Sequence, residues 1–483
     1  MKTIARRIDV LRSIALFCLL VAISCTTDYV TGKRTFSLVS ESQEIQMGSD
    51  ADPQIVAEYG LYDDPDLAAY VSDIGQRIAK VSHRSNLDYT VRVIDSPIVN
   101  AFALPGGYVY ITRGILAHFN SEDELAGVMG HEIGHVVARH GAEQMTRVQM
   151  ATLGLQVGSL VSETFAQYAG AAGAGIQLLF LRFSRDQESE SDRLGVEYST
   201  RLGYNAHEMA NFFQTLDKMQ EQSGQSLPGF LSTHPDPGNR EVKVNQLTNE
   251  WQQKIEYKPL GKTRYDYFKR IDGLVYGDDP RQGFVENNTF YHPQLRFQFP
   301  IPSGWKVNNS ASTVFVIQPD QAAFVQLMLK EAATAGQAAD EFVKNTGGTV
   351  ASRVATSVSG YSAVVMESTH KTKDEELRVL SYFIRKEPYV YSFHGITTSS
   401  DFTKYKGAFT SVMTGFREAT DSAVLAKQPL RLQIERAPQS GTVRSALKAL
   451  GVSDARIEEL ALINGRAPDD RVDNGEWLKI VKD

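Results

Sequence analysis

Two histidines and a glutamate stand at a spacing that suits metal-dependent hydrolysis, in the segment His131-Glu132-Ile133-Gly134-His135. Residues four apart on a helix lie one turn apart on the same face, so His131 and His135 can share one tetrahedral zinc ion. Glu132 falls on the neighbouring side of the helix, off the metal but near an attacking water. We therefore predict one Zn²⁺ per chain, bound by the two histidines, with Glu132 as the general base.

The residues around this motif predict a buried helix. Ser121 and Glu124 have the spacing of a capping box, and the acidic residues that follow Ser121 suit the first turn of a helix. The alternative is a structural helix that carries two hydrogen-bonded histidines. Burying imidazoles without partners is costly, which argues against that alternative. Gly130 and Gly134 weaken a helix by about 1 kcal/mol each, so their presence indicates a close neighbour at this face.

A catalytic zinc site needs a third protein ligand and an open position. The downstream candidates in the sequence are His140, Glu143, Glu163, Glu188 and Glu190. His140 lies five residues past His135, about 140° round a continuous helix, so we expect it behind the ligands or at the surface.

A second capping-box pattern, Ser184 with Gln187, starts another helix and puts Glu188 and Asp192 on one face. Glu188 is then the preferred third ligand, and Asp192 can accept the free N–H of a ligand histidine. Spacing alone leaves open the alternative of an ordinary acidic helix surface.

Four segments, taken in order, resemble metallopeptidase family 48, which includes the CAAX-prenyl-protease, HtpX-like and BepA-like enzymes. They are Asn100-Ala101-Phe102-Ala103-Leu104-Pro105-Gly106-Gly107, the motif at 131–135 with Arg139-His140 behind it, Glu188-x-x-x-Asp192, and Thr233-His234-Pro235 with Arg240. The resemblance implies a mainly helical, gluzincin-type protease domain with a small β-sheet over residues 41–270, and it implies Glu188 as the third zinc ligand.

The same resemblance implies roles for residues that spacing does not single out. Asn100, Phe102, Ala103 and Leu104 correspond to an edge strand that holds a peptide substrate by main-chain pairing. His234 is placed beside the zinc ion, where it either hydrogen-bonds the tetrahedral oxyanion or occupies the open position in a closed state. Arg240 holds the His234 loop or contributes charge.

The rest of the chain predicts two accessory modules, so the expected fold class is multidomain α+β. Alternating segments broken by two helical patterns over 284–420 predict an antiparallel α+β sandwich, whose opening at 297–305 resembles PsbP/Mog1-like domains. Residues 429–483 predict a small βααβ module that resembles LysM. Ser440-Gly441-Thr442 departs from the Gly-Asp-Thr of that family, so a packing role and glycan binding both stay open.

The N-terminus has the pattern of a bacterial lipoprotein. A basic start precedes twelve mostly apolar residues, Ser13 to Ser24, which suits a signal peptide over 1–24 and falls short of the ~20 residues of a membrane span. We expect a lipid on Cys25, a tether over 25–40 and, because Thr26 follows, an outer-membrane location facing the periplasm. The alternative is simple secretion with a chance cysteine.

Composition limits the remaining choices. The 483 residues are 42% hydrophobic, enough for real cores, and the formal charge of -7 disfavours nucleic-acid partners.

The Gly/Ala-rich stretch 151–181 has three open interpretations: a lid over the site, a core helix pair or a membrane-associated segment.

The prediction is a zinc endopeptidase of the cell envelope acting on misfolded or unassembled polypeptides. The first rival is an envelope assembly factor or chaperone-like scaffold with latent peptidase activity. The second is a lipoprotein that contacts envelope proteins or peptidoglycan through its C-terminal modules.

Overall fold

The computed structural model describes residues 25–152, 182–223, 229–235, 239–371 and 375–482. The predicted signal peptide and most of the stretch 151–181 lie outside the described residues. The chain divides into two compact units: one holds the residues up to Val56, Gly60–Gly277 and Leu430–Asp483, and the other holds Ala57–Tyr59 and Asp278–Pro429. Among the described residues, no helix combines the length and apolar character needed to cross a membrane.

The part of the chain before residue 278 is mainly helical, as expected. Its strands are β1 Cys25–Thr27, β2 Arg34–Phe36, β3 Thr90–Ile94, β4 Ala101–Leu104 and β5 Tyr108–Thr112. Its helices are α1 Glu41–Tyr59, α2 Pro65–Val81, α3 Arg113–His118, α4 Glu122–Val137, α5 His140–Thr152, α6 Arg185–Arg201, α7 His207–Ser223, α8 Gly229–Thr233, α9 Arg240–Lys254 and α10 Arg264–Ile271.

Helix α4 runs through the core of the first unit, and every residue of it except Asp123 is buried. The Ser121 side chain accepts from the Glu124 N–H, as predicted. The reciprocal half of the capping box does not form, because the Glu124 carboxylate accepts from the Asn120 N–H at 2.7 Å instead. Helix α6 has the complete capping box predicted for Ser184 and Gln187.

Helices α4 and α6 pack at glycines. A Cβ added at Gly195 would lie 2.9 Å from the main-chain nitrogen of His131, and one added at Gly130 would lie 3.0 Å from the Cα of Gly195. A Cβ at Gly134 would lie 3.2 Å from Ser191. These approaches explain why glycines stand in the middle of both helices despite their cost in helix stability.

Strand β4 lies at the edge of a three-stranded sheet with the order β3-β5-β4, parallel between β3 and β5 and antiparallel between β5 and β4. The Thr112 N–H donates to the Asn100 carbonyl. Because hydrogen-bonded pairs alternate along an antiparallel ladder, Phe102 and Leu104 also pair with β5, and the main-chain groups of Ala101 and Ala103 face away from it.

The second unit is an α+β arrangement of two antiparallel sheets. Its strands are β6 Phe284–Glu286, β7 Thr289–His292, β8 Phe297–Pro300, β9 Lys306–Asn309, β10 Thr313–Ile317, β11 Ala323–Lys330, β12 Thr349–Val358, β13 Tyr361–Lys371, β14 Glu376–Lys386, β15 Tyr389–Thr398 and β16 Arg417–Glu418. Its helices are α11 Ala335–Thr346, α12 Phe402–Thr414 and α13 Ser422–Leu425. The sheets have the orders β12-β13-β14-β15-β11-β10-β9 and β16-β8-β7-β6.

Both predicted helical patterns of this unit are helices, the predicted alternating segments lie in strands, and β12 is the main addition. Residues 349–357 are exposed, so β12 has no buried face and lacks the alternation that marks a half-buried strand.

The C-terminal segment has the predicted strand–helix–helix–strand order and packs into the first unit. It consists of β17 Leu432–Arg436, β18 Gly441–Thr442, α14 Val443–Ala449, α15 Ile457–Ile463, β19 Arg471–Val472 and β20 Trp477–Val481. β17 pairs with β20. The fully buried Lys479 donates from Nζ to the carbonyls of Ala117 and Phe119, both at 2.8 Å, so it caps the C-terminal end of α3. The likeness to LysM stays a prediction.

Candidate metal centre

Four side chains from three parts of the chain converge in the interior of the first unit. His131 and His135 come from α4, Glu188 from the first turn of α6, and His234 directly follows α8. All four are buried, and one donor atom from each lies within 4.8 Å of every other.

The individual distances describe a compact set of donors. The two histidine Nε2 atoms lie 3.0 Å apart. Glu188 reaches both of them, Oε2 at 3.4 Å from His131 Nε2 and Oε1 at 3.4 Å from His135 Nε2. His234 Nδ1 lies 3.0 Å from Glu188 Oε1 and 3.3 Å from His131 Nε2.

This arrangement fits a metal ion. Both oxygens of Glu132 are buried and make no hydrogen bond, and Glu188 Oε2 has long contacts, with Arg240 Nη2 at 3.3 Å and His131 Nε2 at 3.4 Å. Buried carboxylates without short hydrogen bonds are costly, and a bound cation lowers that cost. Imidazole nitrogens and a carboxylate that point at one spot are the donor set of a catalytic metal site.

Asp192 stands behind His131, and Arg240 lies beside this ring and the Glu188 carboxylate, with Nη2 3.2 Å from His131 Nδ1 and 3.3 Å from Glu188 Oε2. Asp192 Oδ1 lies 2.9 Å from His131 Nδ1. Arg240 donates to both oxygens of Asp192, from Nη2 at 2.7 Å and from Nε at 2.8 Å. Asp192 thus lies on the Nδ1 side of His131, and Nε2 of that ring faces the other donors. That Asp192 fixes the tautomer of a metal ligand stays a prediction.

His140 is closer to the metal centre than a continuous helix would place it. Helix α4 ends at Val137, Arg139 has a positive φ of 58°, and a new helix begins at His140. The projection of 140° round the helix therefore does not apply. The buried His140 ring turns back, and its Nδ1 lies 2.9 Å from Nδ1 of His135.

The other described candidates for a third ligand on α5 and α6, Glu143 and Glu190, have different partners. Glu143 accepts from Arg147 and Gln187. Glu190 lies on the far side of His140, with Oε2 3.4 Å from His140 Nε2. Glu163 is outside the described residues. Only Glu188 of the five candidates is brought against both histidines within the described part of the chain.

Burial and the neighbouring charges shift the pKa values of the site. Burial raises the pKa of Glu132. Burial also acts to raise the pKa of Glu188, but the charge of His234 and the hydrogen bonds from the three histidines outweigh it and hold that pKa well below its usual range. Burial lowers the pKa of His135, whereas for His131 the carboxylates of Asp192 and Glu188 overcome burial and raise the pKa to about 9.

The residues predicted to bind substrate lie on or beside β4, which packs against α4. Phe102 and Leu104 are buried, and Phe102 stacks on Tyr110 with the ring centroids 4.9 Å apart. Their side chains are therefore occupied within the core, and what β4 offers a ligand is its main chain. The side-chain oxygen of Asn100 is buried and makes no hydrogen bond.

Two phenylalanines that the sequence did not single out enclose the histidines. The Phe183 ring stacks on His135, with centroids 3.9 Å apart and planes 27° apart. The Phe230 ring stacks on His234 at 4.5 Å and 20°. Phe183 directly precedes the N-cap Ser184, and no spacing pattern pointed to it; only the packing reveals it.

Comparison with known proteins agrees with this geometry. Residues 65–248 match Peptidase family M48. The chain is 34% identical over 233 residues to the mitochondrial metalloendopeptidase OMA1 of Schizosaccharomyces pombe, covering 47% of this chain and 67% of that protein. It is 31% identical over 229 residues to the beta-barrel assembly-enhancing protease of Escherichia coli, covering 45% of this chain and 46% of that protein.

A buried centre of two histidines and one carboxylate beside the edge strand of a small sheet agrees with the metallopeptidase site that the sequence predicts. The chain belongs to peptidase family M48, and the family predicted from the sequence is confirmed. The chain spans two thirds of the length of the fission-yeast relative and less than half of that of the Escherichia coli relative.

Among solved structures, the solution structure of cyanobacterial PsbP from Synechocystis sp. is similar to this chain at a TM-score of 0.24 and 15% identity, over 27% of this chain and 91% of that chain. A TM-score this low does not establish a shared fold, so the PsbP-like character of residues 284–420 stays a prediction.

Proposed function

We propose that this chain is a zinc-dependent endopeptidase that hydrolyses peptide bonds in misfolded or unassembled proteins of the bacterial cell envelope. The observation that carries the proposal is the convergence of His131, His135 and Glu188 beside the buried carboxylate of Glu132, which makes no hydrogen bond. The envelope setting is supported by the Escherichia coli relative, which is named for enhancing the assembly of β-barrels.

His131, His135 and Glu188 are the residues that hold the zinc ion. When bound, zinc supplies Lewis-acid polarisation of the scissile carbonyl and lowers the pKa of water to about 7. Asp192, with Arg240 behind it, keeps the His131 ring in the orientation that zinc binding needs.

Glu132 is the general base. Its neighbours on α4, His131 and Ile133, are buried, and its carboxylate makes no hydrogen bond that would have to break before it accepts a proton. Glu132 takes a proton from the attacking water and delivers it to the leaving amine. Its burial keeps bulk water from competing for that proton.

His234 has two alternative roles, and its position favours the closed one. Its Nδ1 lies among the donors, 3.0 Å from Glu188 Oε1, and its Nε2 lies 3.6 Å from Glu132 Oε1. In the closed role, His234 fills the open zinc position that a substrate carbonyl would otherwise take. In the closed role, replacing His234 by alanine speeds hydrolysis; in the role of oxyanion donor, it slows hydrolysis. Unchanged turnover of a peptide substrate would remove His234 from the mechanism.

The substrate is an extended polypeptide that pairs with β4. The main-chain groups of Ala101 and Ala103 face away from β5, and the amide oxygen of Asn100 has no partner, so the edge offers donors and acceptors to a peptide backbone. Main-chain pairing reads no sequence, which suits substrates that share only the loss of their fold.

The test of the proposal compares the wild type with Glu132→Gln. We expect the wild type to contain one zinc ion and to cleave casein, and we expect a chelator to abolish cleavage. Glu132→Gln should keep the zinc and lose cleavage, because the amide cannot take the proton. Glu143→Gln, the nearby carboxylate paired with Arg147, is the control and should cleave normally. Cleavage of casein by Glu132→Gln would refute the assigned role.

The location is a separate part of the proposal. A lipid on Cys25 anchors the chain to the outer membrane, with 25–40 as the tether and the two units in the periplasm. Incorporation of labelled palmitate into the wild type and its loss in Cys25→Ser would support the anchor. Release of unlabelled wild type into the soluble fraction would refute it.

The scaffold alternative is favoured by one observation: the second unit, Asp278–Pro429, lies wholly outside the family match at 65–248. Complementation separates the two functions, since rescue by Glu132→Gln favours the scaffold and failure favours the protease. Pelleting with purified sacculi tests peptidoglycan contact through residues 429–483.

A further inference from the structure

His135 has an outer contact of its own, parallel to that of His131. Its Nε2 faces the other donors, and its Nδ1 faces Nδ1 of His140 at 2.9 Å. The second nitrogen of His140, Nε2, faces Glu190 Oε2 at 3.4 Å. His135 and His140 are both buried, so bulk water does not supply these contacts in their place.

When Nε2 of His135 binds a cation, the hydrogen bonds from His135 to His140 and from His140 to Glu190 all run in one direction. The proton of His135 is then on Nδ1 and is donated to Nδ1 of His140. His140 in turn carries its proton on Nε2 and donates it toward the carboxylate of Glu190. Both ring nitrogens of His135 and of His140 then have a partner, and the hydrogen bond to His140 fixes the tautomer of His135.

The other neighbours of the His135–His140 pair do not accept the proton on Nδ1 of His135. Phe183 stacks on the face of the His135 ring, which restrains its plane but bonds to neither nitrogen. Ser191 Oγ lies 3.4 Å from Nδ1 of His140, and it contacts His140 rather than the ligand. Of these groups, His140 alone bonds to the rear nitrogen of His135.

We propose that His140 and Glu190 are a positioning pair, which holds the ring and the tautomer of His135 for metal binding as Asp192 and Arg240 do for His131. The inference rests on the metal site of the proposed function. His140 sets the direction through its short contact, and Glu190, at the longer distance, makes the smaller contribution.

The experiment compares His140→Leu with His140→Asn in the purified protein. Leucine and asparagine have nearly the same shape, but the asparagine amide oxygen is bonded to the same Cγ position as Nδ1 of histidine and keeps an acceptor there. The measurement is the dissociation constant for zinc, obtained by competition with a chelating dye at one fixed pH. Thermal unfolding in the presence of EDTA reports separately on the fold.

We expect His140→Leu to weaken zinc binding about 10–100-fold, the usual effect of losing an outer partner of a ligand histidine. His140→Asn should stay within about threefold of the wild type, because the acceptor is kept. Glu190→Gln should fall between the two. Glu143→Gln, on the same helix as His140 but paired with Arg147, is the matched control and should bind zinc as the wild type does.

The outcomes distinguish the positioning role of His140 from the proposed zinc-dependent peptidase activity. Equal affinities for His140→Leu and His140→Asn, whether both normal or both weakened, overturn the positioning role, because packing alone then explains His140. A wild type that binds no zinc overturns both the inference and the proposed function. A wild type that binds zinc and shows the expected difference, but cleaves no casein, supports the inference and refutes the peptidase.

Discussion

Replacing Gly195 by alanine tests whether the contact between α4 and α6 sets the spacing of the metal ligands. Gly195 lies on α6 with Glu188, and the residue that it meets across the contact is the proposed ligand His131 on α4. An added Cβ would lie 2.9 Å from the His131 main-chain nitrogen, whereas an ordinary contact needs at least 3.4 Å. The obstacle is backbone rather than a flexible side chain, so the two helices must separate by about 0.5 Å.

Two opposed effects determine the stability of the variant. Alanine stabilises a helix interior by about 1 kcal/mol relative to glycine. Overpacking of a filled contact costs about 1–3 kcal/mol. The net change in the free energy of unfolding is then a loss of about 0–2 kcal/mol. Gly407→Ala is the control, because Gly407 lies exposed on α12 with no atom within 4 Å of the added Cβ. It should gain about 0.4–1 kcal/mol.

Zinc affinity is the more direct measurement. A metal site tolerates changes in ligand distance of about 0.2 Å, and the helix separation exceeds that. We expect Gly195→Ala to bind zinc at least about tenfold more weakly, or about 1.4 kcal/mol, with no change for Gly407→Ala. Urea unfolding and dye competition measure the two effects. A Gly195→Ala variant that is as stabilised as Gly407→Ala and keeps wild-type zinc affinity would refute the reasoning.

Three further substitutions test other parts of the structure. Ala103→Pro removes an N–H from the open edge of β4, so KM for a peptide should rise about 2–10-fold with little change in kcat; an unchanged KM would exclude main-chain pairing there. Burial lowers the pKa of His394 to about 3 from 6.5, so its stabilising contribution is complete above pH 6.5 and is lost as pH falls. This effect should lower the unfolding free energy of the wild type by about 2 kcal/mol at pH 5. His394→Leu should lose less unfolding free energy than the wild type between pH 7 and pH 5; equal losses would contradict this. Lys479→Met leaves the carbonyls of Ala117 and Phe119 without their donor and should lower unfolding free energy by about 1–3 kcal/mol; a more stable variant would show that the buried charge itself is the greater cost.

The elements near the site were predictable because their signals are local. Helix α4 follows from a cap at Ser121 and an apolar run, and α6 from the capping box at Ser184. The strands of the second unit that the sequence predicts have one buried face and therefore alternate. Strand β12 has no such face, which is why it was missed.

The structure places His140 behind His135, one of the two places expected for it, but the helical projection used to reach that expectation does not apply. Counting degrees round a helix assumes that the helix continues, and the positive φ of Arg139 breaks it. Arginine is an uncommon residue at such an angle, so nothing in the local sequence announced the break. The resulting contact with His135 depends on where α5 packs.

The sequence by itself determined the family, the pair of histidines with Glu132 between them, and the helices that carry the candidate donors. Those features depend on residues a few positions apart, whose hydrogen bonds and periodicity do not require the rest of the chain. Spacing in the sequence left open an ordinary acidic surface at Glu188, and the family resemblance gave only an expectation that Glu188 and His234 lie beside the two histidines. The tertiary structure decided that both are buried against the histidines and that the C-terminal segment packs into the first unit. These juxtapositions join residues from 46 to 362 positions apart. Such contacts depend on how closely helices and strands approach, and side-chain volume at a few buried positions, above all the glycines between α4 and α6, sets that approach.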